Sequence, residues 1–379
     1  MQVAIVSETW PPEVNGVALT VQSLARGLRS LDHAVEVVRP RRPADDAASA
    51  DDGLGQFLVN GAALPRYPGL RFGLPAQSRL LRHWQACRPD AIYIATEGPL
   101  GHSALAAARR LGIPVCTGFH TRFDDFARHY GLAWLTPLVF AGMRRFHNRA
   151  AMTLVPTREL ADFLGARGFR HVRLLSRAVD TAAFHPRHRD AELRAQWGVA
   201  ADAPAILHVG RLAAEKNLDL AVRAHDAIRA RLPRARFIIV GDGPERARLA
   251  AARPDLVFAG LRHGEDLARH YASGDLFLFP STTETFGNVT LEAMASGLPV
   301  VAFDYGAARE HIGAELAGMR VPFADEEAFV AAALELASDP ERRRQLGSQA
   351  RACIEALSPA SVSAGFADLL ASMAPAEAA

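Results

Sequence analysis

The chain's single lysine, Lys216, stands in His208-Val209-Gly210-Arg211-Leu212-Ala213-Ala214-Glu215-Lys216-Asn217, against 42 arginines. Where nearly every cation is a planar guanidinium, a position that keeps a compact ammonium with three donors suits a phosphate oxygen. Arg211 and Lys216, at a strand-to-helix junction, could together neutralise a diphosphate. A lysine on a solvated helix face accounts for the same residue without a ligand. A second constellation runs from Pro280 through Glu284, Phe286, Gly287, Asn288, Val289, Thr290 and Glu292 to Gly297. It reads as a loop entering a short helix, capped by Asn288 at its start and with Gly297 past its end. Glu284 then lies in the loop and Glu292 one turn inside the helix, with bare N–H groups at Asn288, Val289 and Thr290 between them. One carboxylate can face a sugar and the other ribose hydroxyls, with phosphates on the helix N-terminus. As a plain first-turn acid Glu292 would gain about 0.3 to 1 kcal/mol from the dipole, which leaves Glu284 unexplained.

Two further loops carry candidates. In Phe119-His120-Thr121-Arg122-Phe123, His120 sits just past a strand end, as a donor to a sugar hydroxyl, a proton carrier or an ordinary structural histidine. Asn15-Gly16, after Glu8-Thr9-Trp10-Pro11-Pro12-Glu13-Val14, leaves backbone N–H groups that an anion could approach at a helix entrance; a simple Asn-Gly turn explains it equally.

Other chemistries fail on spacing. Gly241-Asp242-Gly243-Pro244-Glu245-Arg246 begins like a dinucleotide fingerprint, but Arg246 replaces the third glycine and no acid ends the next strand, which disfavours NAD. Lys216 follows Glu215 rather than Gly, so there is no P-loop. No Asp-x-Asp occurs to hold a divalent ion on a diphosphate, so no metal site is expected. Cys87, Cys116 and Cys353 are scattered, without zinc or redox spacing.

These residues need elements to hold them. Short Val- and Ile-rich runs alternate with helix-length amphipathic segments, the pattern of β-α units around parallel sheets. QVAIVS (2–7), AVEVV (34–38), AIYIA (91–95), IPVCTG (113–118), MTLVP (152–156) and HVRLL (171–175) read as one series of strands. APAILHVG (203–210), ARFIIVG (235–241), DLVFAG (255–260), DLFLFPS (275–281) and LPVVAF (298–303) read as a second. Helical patterns cover Val17 to Leu31, Leu100 to Leu111 and Leu138 to Asn148, and Ala44 to Gly55 reads as a surface loop. Two sheets of five or six strands predict two Rossmann-like domains, residues 1–182 and 183–358, with a hinge near 180 and ligands at the carboxyl ends of the strands in a cleft.

At 379 residues, 49% hydrophobic and 22% charged, the composition is globular, and a net charge of +2 calls for no nucleic acid. Residues 1–185 carry 22 Arg against 15 acids, a balance of +7, which suits an anionic surface or substrate or plain solubility. Leu132 to Met143, 12 residues and the longest apolar stretch, falls short of the roughly 20 that span a bilayer. The opening MQVAIVSETWPP has no basic region ahead of it, so a secretory signal is not expected, and the cytoplasm is the expected compartment.

Read together, the chain resembles the retaining glycosyltransferases of family four, with the two-domain GT-B fold. The resemblance covers ETWPPEVNGV, IATEGPLG (94–101), GFHTRFDDFARHYG (118–131), RAVDTAAFHP (177–186), GRLAAEKN and ETFGNVTLEAMASGLPVVA (284–302), the last holding an E-x7-E motif. It implies transfer of a hexose from a nucleoside-diphosphate sugar, such as GDP-mannose or UDP-glucose, to a hydroxyl acceptor. Arg211, Lys216 and backbone at Gly16, Gly287, Asn288 and Val289 would hold the donor diphosphate, Glu292 the ribose and Glu284 the donor sugar, while His120 faces the reacting sugar. No obvious carboxylate nucleophile accompanies them, so acceptor attack on the leaving-group face is the working mechanism. No cofactor is implied beyond the donor. The resemblance also implies that the last segment, 359–379, packs back on the first domain. Relatives often glycosylate lipids such as diacylglycerol or phosphoinositides. Trp134 to Asn148, with Arg144, Arg145 and Arg149, reads as an interfacial helix for peripheral membrane contact, or as a buried helix with a basic end. A nucleotide-sugar epimerase of the same fold and a non-catalytic nucleotide-sugar-binding module are the alternatives.

Overall fold

The computed structural model describes residues 1–13, 16–42, 53–63, 71–120, 136–284, 286–313 and 317–373. The chain divides into two compact units, Met1–Ala178 with Pro359–Ala379, and Val179–Ser358.

The first unit holds a seven-stranded parallel sheet, in the order β3 (Gly55–Val59), β2 (Ala34–Pro40), β1 (Gln2–Val6), β6 (Ala91–Ile94), β7 (Val115–Gly118), β8 (Met152–Val155), β9 (Val172–Leu174). β4 (Gly61–Ala63) and β5 (Arg71–Gly73) form a small antiparallel pair. Helices cover both faces, which is why β1 and β6 read as unbroken apolar runs rather than alternating ones. Val3, Ile5 and Tyr93 pack with Leu24, Leu28 and Phe366 on one side; Ala4, Val6, Ile92 and Ile94 pack with Leu80, Trp84 and Leu105 on the other. The helix Pro359–Ala371 lies on the helix Gly16–Ser30 so closely that a Cβ on Gly27 would fall 1.8 Å from Ser363 Oγ.

The second unit has six parallel strands, in the order β12 (Val257–Gly260), β11 (Arg236–Val240), β10 (Ala205–Val209), β13 (Leu276–Phe279), β14 (Val300–Phe303), β15 (Gly318–Val321). Counted within the unit this is 3-2-1-4-5-6, the doubly wound order, whose reversal of direction falls between β10 and β13. Val179 belongs to this unit's core, and its N–H donates to the Leu357 carbonyl.

Four strands depart from the sequence expectation: the short pair β4 and β5, and in the main sheets β3 and β15. β3 begins at Gly55, inside the segment read as a loop, and only Val59 of it is buried; β15 buries only Gly318 and Val321. Both are edge strands, where half-solvated positions weaken the apolar signal. Residues 44–52 of the expected loop lie outside the described residues.

Candidate active site

Loops after the strands of the second sheet are fastened to one another at their carboxyl ends. Gly210 N–H donates to the Val240 carbonyl, Leu212 N–H to the Asp242 carbonyl and Glu245 N–H to the Leu212 carbonyl. A Cβ on Gly241 would come within 1.9 Å of the Gly210 carbonyl oxygen. The near-fingerprint at Gly241 to Pro244 is therefore a loop-to-loop contact that only glycine fits. Across the β10–β13 switch point, the Glu215 carbonyl accepts from Thr282 N–H at 3.0 Å. Tyr305, following β14, donates its hydroxyl to the Ser281 carbonyl at 2.9 Å.

This stitching brings two predicted site residues together. Lys216, in the turn after β10, forms an ion pair with Glu284, in the loop after β13; the two side chains are 15% and 16% exposed. Ser281 Oγ donates to Glu284 Oε1 at 3.0 Å, and Lys216 Nζ lies 5.8 Å from the Phe279 ring centroid. Arg211, after the same strand as Lys216, is exposed, and its side chain has no hydrogen-bond or ion-pair partner among the described residues. Most arginines of this unit are committed to carboxylates, for example Arg248 to Asp219 and Arg253 to Asp226.

The helix that follows is Asn288–Ala295, and its start corrects the sequence reading. Gly287, at φ +96°, occupies the N-cap position, not Asn288, and no side chain caps the helix. The left-handed conformation explains why a glycine precedes the helix. Thr290 N–H is taken by the Gly287 carbonyl at 3.0 Å, so it is not bare as expected; Asn288 and Val289, the first helical residues, keep the orphan N–H groups of a helix start. Ser296 ends the helix and Gly297 follows it at φ +75°.

Glu292, one turn in, accepts a 2.8 Å bond from the hydroxyl of Tyr271, on the helix Gly264–Ser273. Burial raises the Glu292 carboxyl above the usual glutamate range and the Tyr271 bond draws it partly back; burial also pushes the Tyr271 hydroxyl well up. Sequence reasoning missed Tyr271 and Ser281. A buried tyrosine needs a hydroxyl partner, the one signal available for Tyr271.

In the first unit, Gly16 is exposed and is the first residue of its helix; Asn15 lies outside the described residues. Glu8 is consumed structurally, since its carboxylate accepts from Leu100 N–H at 2.9 Å and from Gly73 N–H. His120, just past β7, has both ring nitrogens engaged, with Tyr93 Oη 2.7 Å from Nε2 and Arg177 Nη2 2.7 Å from Nδ1. Burial, with Arg177 and His147 beside it, holds this imidazole well below the usual histidine range. At neutral pH the ring is therefore uncharged in this arrangement. Residues 121–135, Trp134 among them, lie outside the described residues; the helix begins at Thr136 and ends at His147. Among the described residues no group of three His, Cys, Asp or Glu side chains could hold a metal ion, and no helix is long and apolar enough to cross a membrane.

Residues 14–183 match the model of "Glycosyltransferase Family 4", and residues 203–339 that of "Glycosyl transferases group 1". The chain belongs to glycosyltransferase family 4. A GDP-mannose-dependent alpha-mannosyltransferase of Mycobacterium tuberculosis is 37% identical over 331 residues, 86% of this chain and 85% of the relative. The alpha-monoglucosyldiacylglycerol synthase of Acholeplasma laidlawii is 28% identical, covering 79% of this chain and 80% of the relative. Among solved structures, Anabaena Alr3699/HepE in complex with UDP superposes with a TM-score of 0.79 at 20% identity, over 98% of this chain and all of the other, 100%. The fold is thus of the GT-B type, two Rossmann-like units with parallel sheets. This family member is a glycosyltransferase of a retaining hexosyltransferase family, as its motifs implied, rather than an epimerase or a silent binding module.

Proposed function

We propose that this chain transfers a hexose, with retention and without a metal, from a nucleoside-diphosphate sugar to the hydroxyl of a membrane lipid. The observation that carries the donor assignment is the Lys216–Glu284 pair at the β10–β13 switch point. As the glycosidic bond of the donor breaks, negative charge collects on the leaving diphosphate, and donors fixed beforehand around it favour that state over the ground state. Lys216, Arg211, the N–H groups of Gly287, Asn288 and Val289, and Gly16 supply them. Glu284, once its lysine turns to the phosphate, accepts from the sugar hydroxyls, and Glu292 accepts from the ribose. His120 faces the reacting sugar as a neutral ring. The acceptor hydroxyl attacks from the leaving-group side; trapping a covalent glycosyl-enzyme would refute that step.

The names of the relatives support GDP-mannose as the donor and a lipid as the acceptor. The helix Thr136–His147 supports peripheral contact with the inner face of the cytoplasmic membrane. Leu138 is 71% and Val139 37% exposed on it, and Arg144 and Arg145 are exposed near its end. The test is thermal shift with GDP-mannose, UDP-glucose and other nucleotide sugars, because a bound donor raises stability with the logarithm of its saturation. It is followed by transfer to diacylglycerol and phosphoinositide vesicles with a chelator present. Stabilisation by no nucleotide sugar, or turnover abolished by the chelator, refutes the reading.

A further inference from the structure

Arg177 is a buried guanidinium, 8% exposed, with no carboxylate partner among the described residues and with its Nε–H buried and unbonded. Among the described residues its one hydrogen bond runs from Nη2 to Nδ1 of His120 at 2.7 Å. A guanidinium carries no acceptor, so Nδ1 must present its lone pair and the ring proton must sit on Nε2. From there it reaches the Tyr93 hydroxyl oxygen at 2.7 Å. Gly118 makes room for that second bond, because a Cβ there would come within 2.2 Å of Tyr93 Oη and 2.5 Å of His120 Nε2. The sequence holds Gly118 and His120 in GFHTRF and Arg177 in RAVD, 57 residues apart in the chain.

We infer that Arg177 is a positioning residue for His120, fixing the imidazole as the Nε2–H tautomer with its proton on Tyr93. An imidazolium would direct a second N–H at the guanidinium from 2.7 Å, a like-charge contact in a buried place. The other titratable groups around the ring do not reverse this. His147, from the helix Thr136–His147, adds to the same effect; Glu97, after β6, is engaged by His147 at 3.0 Å; Tyr93 and Cys116 are held protonated by burial. The same burial lowers Arg177 only to about 10, so it stays charged at neutral pH. A neutral ring matters because the sugar develops positive charge as its bond to the diphosphate breaks, and an imidazolium beside it would oppose that step.

The inference rests on the proposed placement of His120 at the reacting sugar. The test is ¹⁵N-histidine NMR on the full chain, paired with a pH profile of kcat. The wild type is expected to show His120 as the Nε2–H tautomer, with no titration between about pH 8 and 5 and a flat kcat over that range. In Arg177→Met, His120 should titrate at a higher pH than in the wild type, burial and His147 still holding it below the usual histidine range, and kcat should acquire an acid limb at that same pH. The donor KM should stay within about threefold, while Arg177→Lys, also a pure donor, restores the flat profile. An Nδ1–H tautomer in the wild type, or unchanged titration and profile in Arg177→Met, overturns the inference. If Arg177→Met does not fold, Tyr93→Phe serves: the Nε2–H signature must survive loss of its acceptor, and its disappearance is equally fatal. A fully active His120→Ala would refute the sugar-facing placement while leaving the tautomer result standing.

Discussion

Lys216 and Glu284, 68 residues apart, close an ion pair across the switch point of the second sheet. Each is mostly withdrawn from solvent, so removing one leaves the other as a poorly solvated charge, and that loss is larger than the net contribution of the pair. Lys216→Met is therefore expected to lower stability by about 1 to 3 kcal/mol and turnover by about 10²-fold or more. Adding Glu284→Gln should restore most of the stability, because the orphaned carboxylate is gone, and none of the turnover. Urea melts and rates of the two singles and the double check this. Recovery of both quantities together would mean that the pair is only structural.

Arg211 separates function from folding more cleanly. Its side chain is exposed and unpartnered among the described residues, so Arg211→Ala should leave the unfolding free energy within about 0.5 kcal/mol of wild type. Turnover should still fall by about 10²-fold, with a weaker response to salt. A near-normal rate in the purified variant would remove Arg211 from the diphosphate.

For Glu292 the informative change is Tyr271→Phe, which deletes one hydrogen bond to a buried carboxylate. Bonds to charged groups contribute about 1.5 to 3 kcal/mol, so the donor KM should rise at least about tenfold with little change in kcat. The Tyr271 hydroxyl draws the Glu292 carboxyl downward, against the upward push of burial. Without it Glu292 takes up its proton at a higher pH, and donor binding should weaken at a correspondingly higher pH on acidification. A pH series of donor KM in both proteins decides it.

How much of this was legible in the sequence depends on distance along the chain. Of the eleven strands legible in the sequence, most are apolar runs buried on both faces, which need no partner to be recognised; β9 and β12 bury no residue fully and are marked by their Val and Phe alone. Glu284 and Lys216 were readable as types in loops after strands, but not as a pair, since their contact is set by β10 lying beside β13. Asn288 reads as the cap because its side chain is a common N-cap, whereas a left-handed Gly287 does that job without any side chain. Arg177 and Tyr93 were invisible as partners of His120. Nothing local to an apolar strand or to RAVD says that an imidazole sits between them.

Membrane contact makes a separate prediction. Apolar Leu138 and Val139 stand exposed on the helix that also presents Arg144 and Arg145, so insertion and anionic attraction should act together. The chain should float with phosphatidylglycerol-containing vesicles and not with neutral ones, and Leu138→Asp or Arg144→Glu with Arg145→Glu should each reduce co-flotation several-fold. Equal flotation on neutral and anionic vesicles would argue against the electrostatic half, and none on either against the whole.

Stability itself should depend on acid. Burial lowers His208, His225 and His311, all in the second unit, to about 4. The unfolded chain titrates near 6.5. Above that pH the contribution of the neutral rings is fully present, and it is lost as the pH falls through about 4, because the unfolded state then binds the additional protons. Each site can contribute a slope of up to about 1.4 kcal/mol per pH unit. Glu8 and Glu292 act with the opposite sign, since burial raises both, but they are outnumbered by the lowered histidines, which include His102, His120 and His270 beside these three. The urea midpoint should therefore fall between pH 6.5 and 4.5. His225 packs at a tilt against Phe237 in the core, at 5.4 Å between ring centroids, and is not one of the proposed donor-binding residues, so His225→Leu isolates one contribution. That variant should reduce the slope by about 1.4 kcal/mol per pH unit, and a slope identical to wild type would show that this histidine is already protonated in the fold.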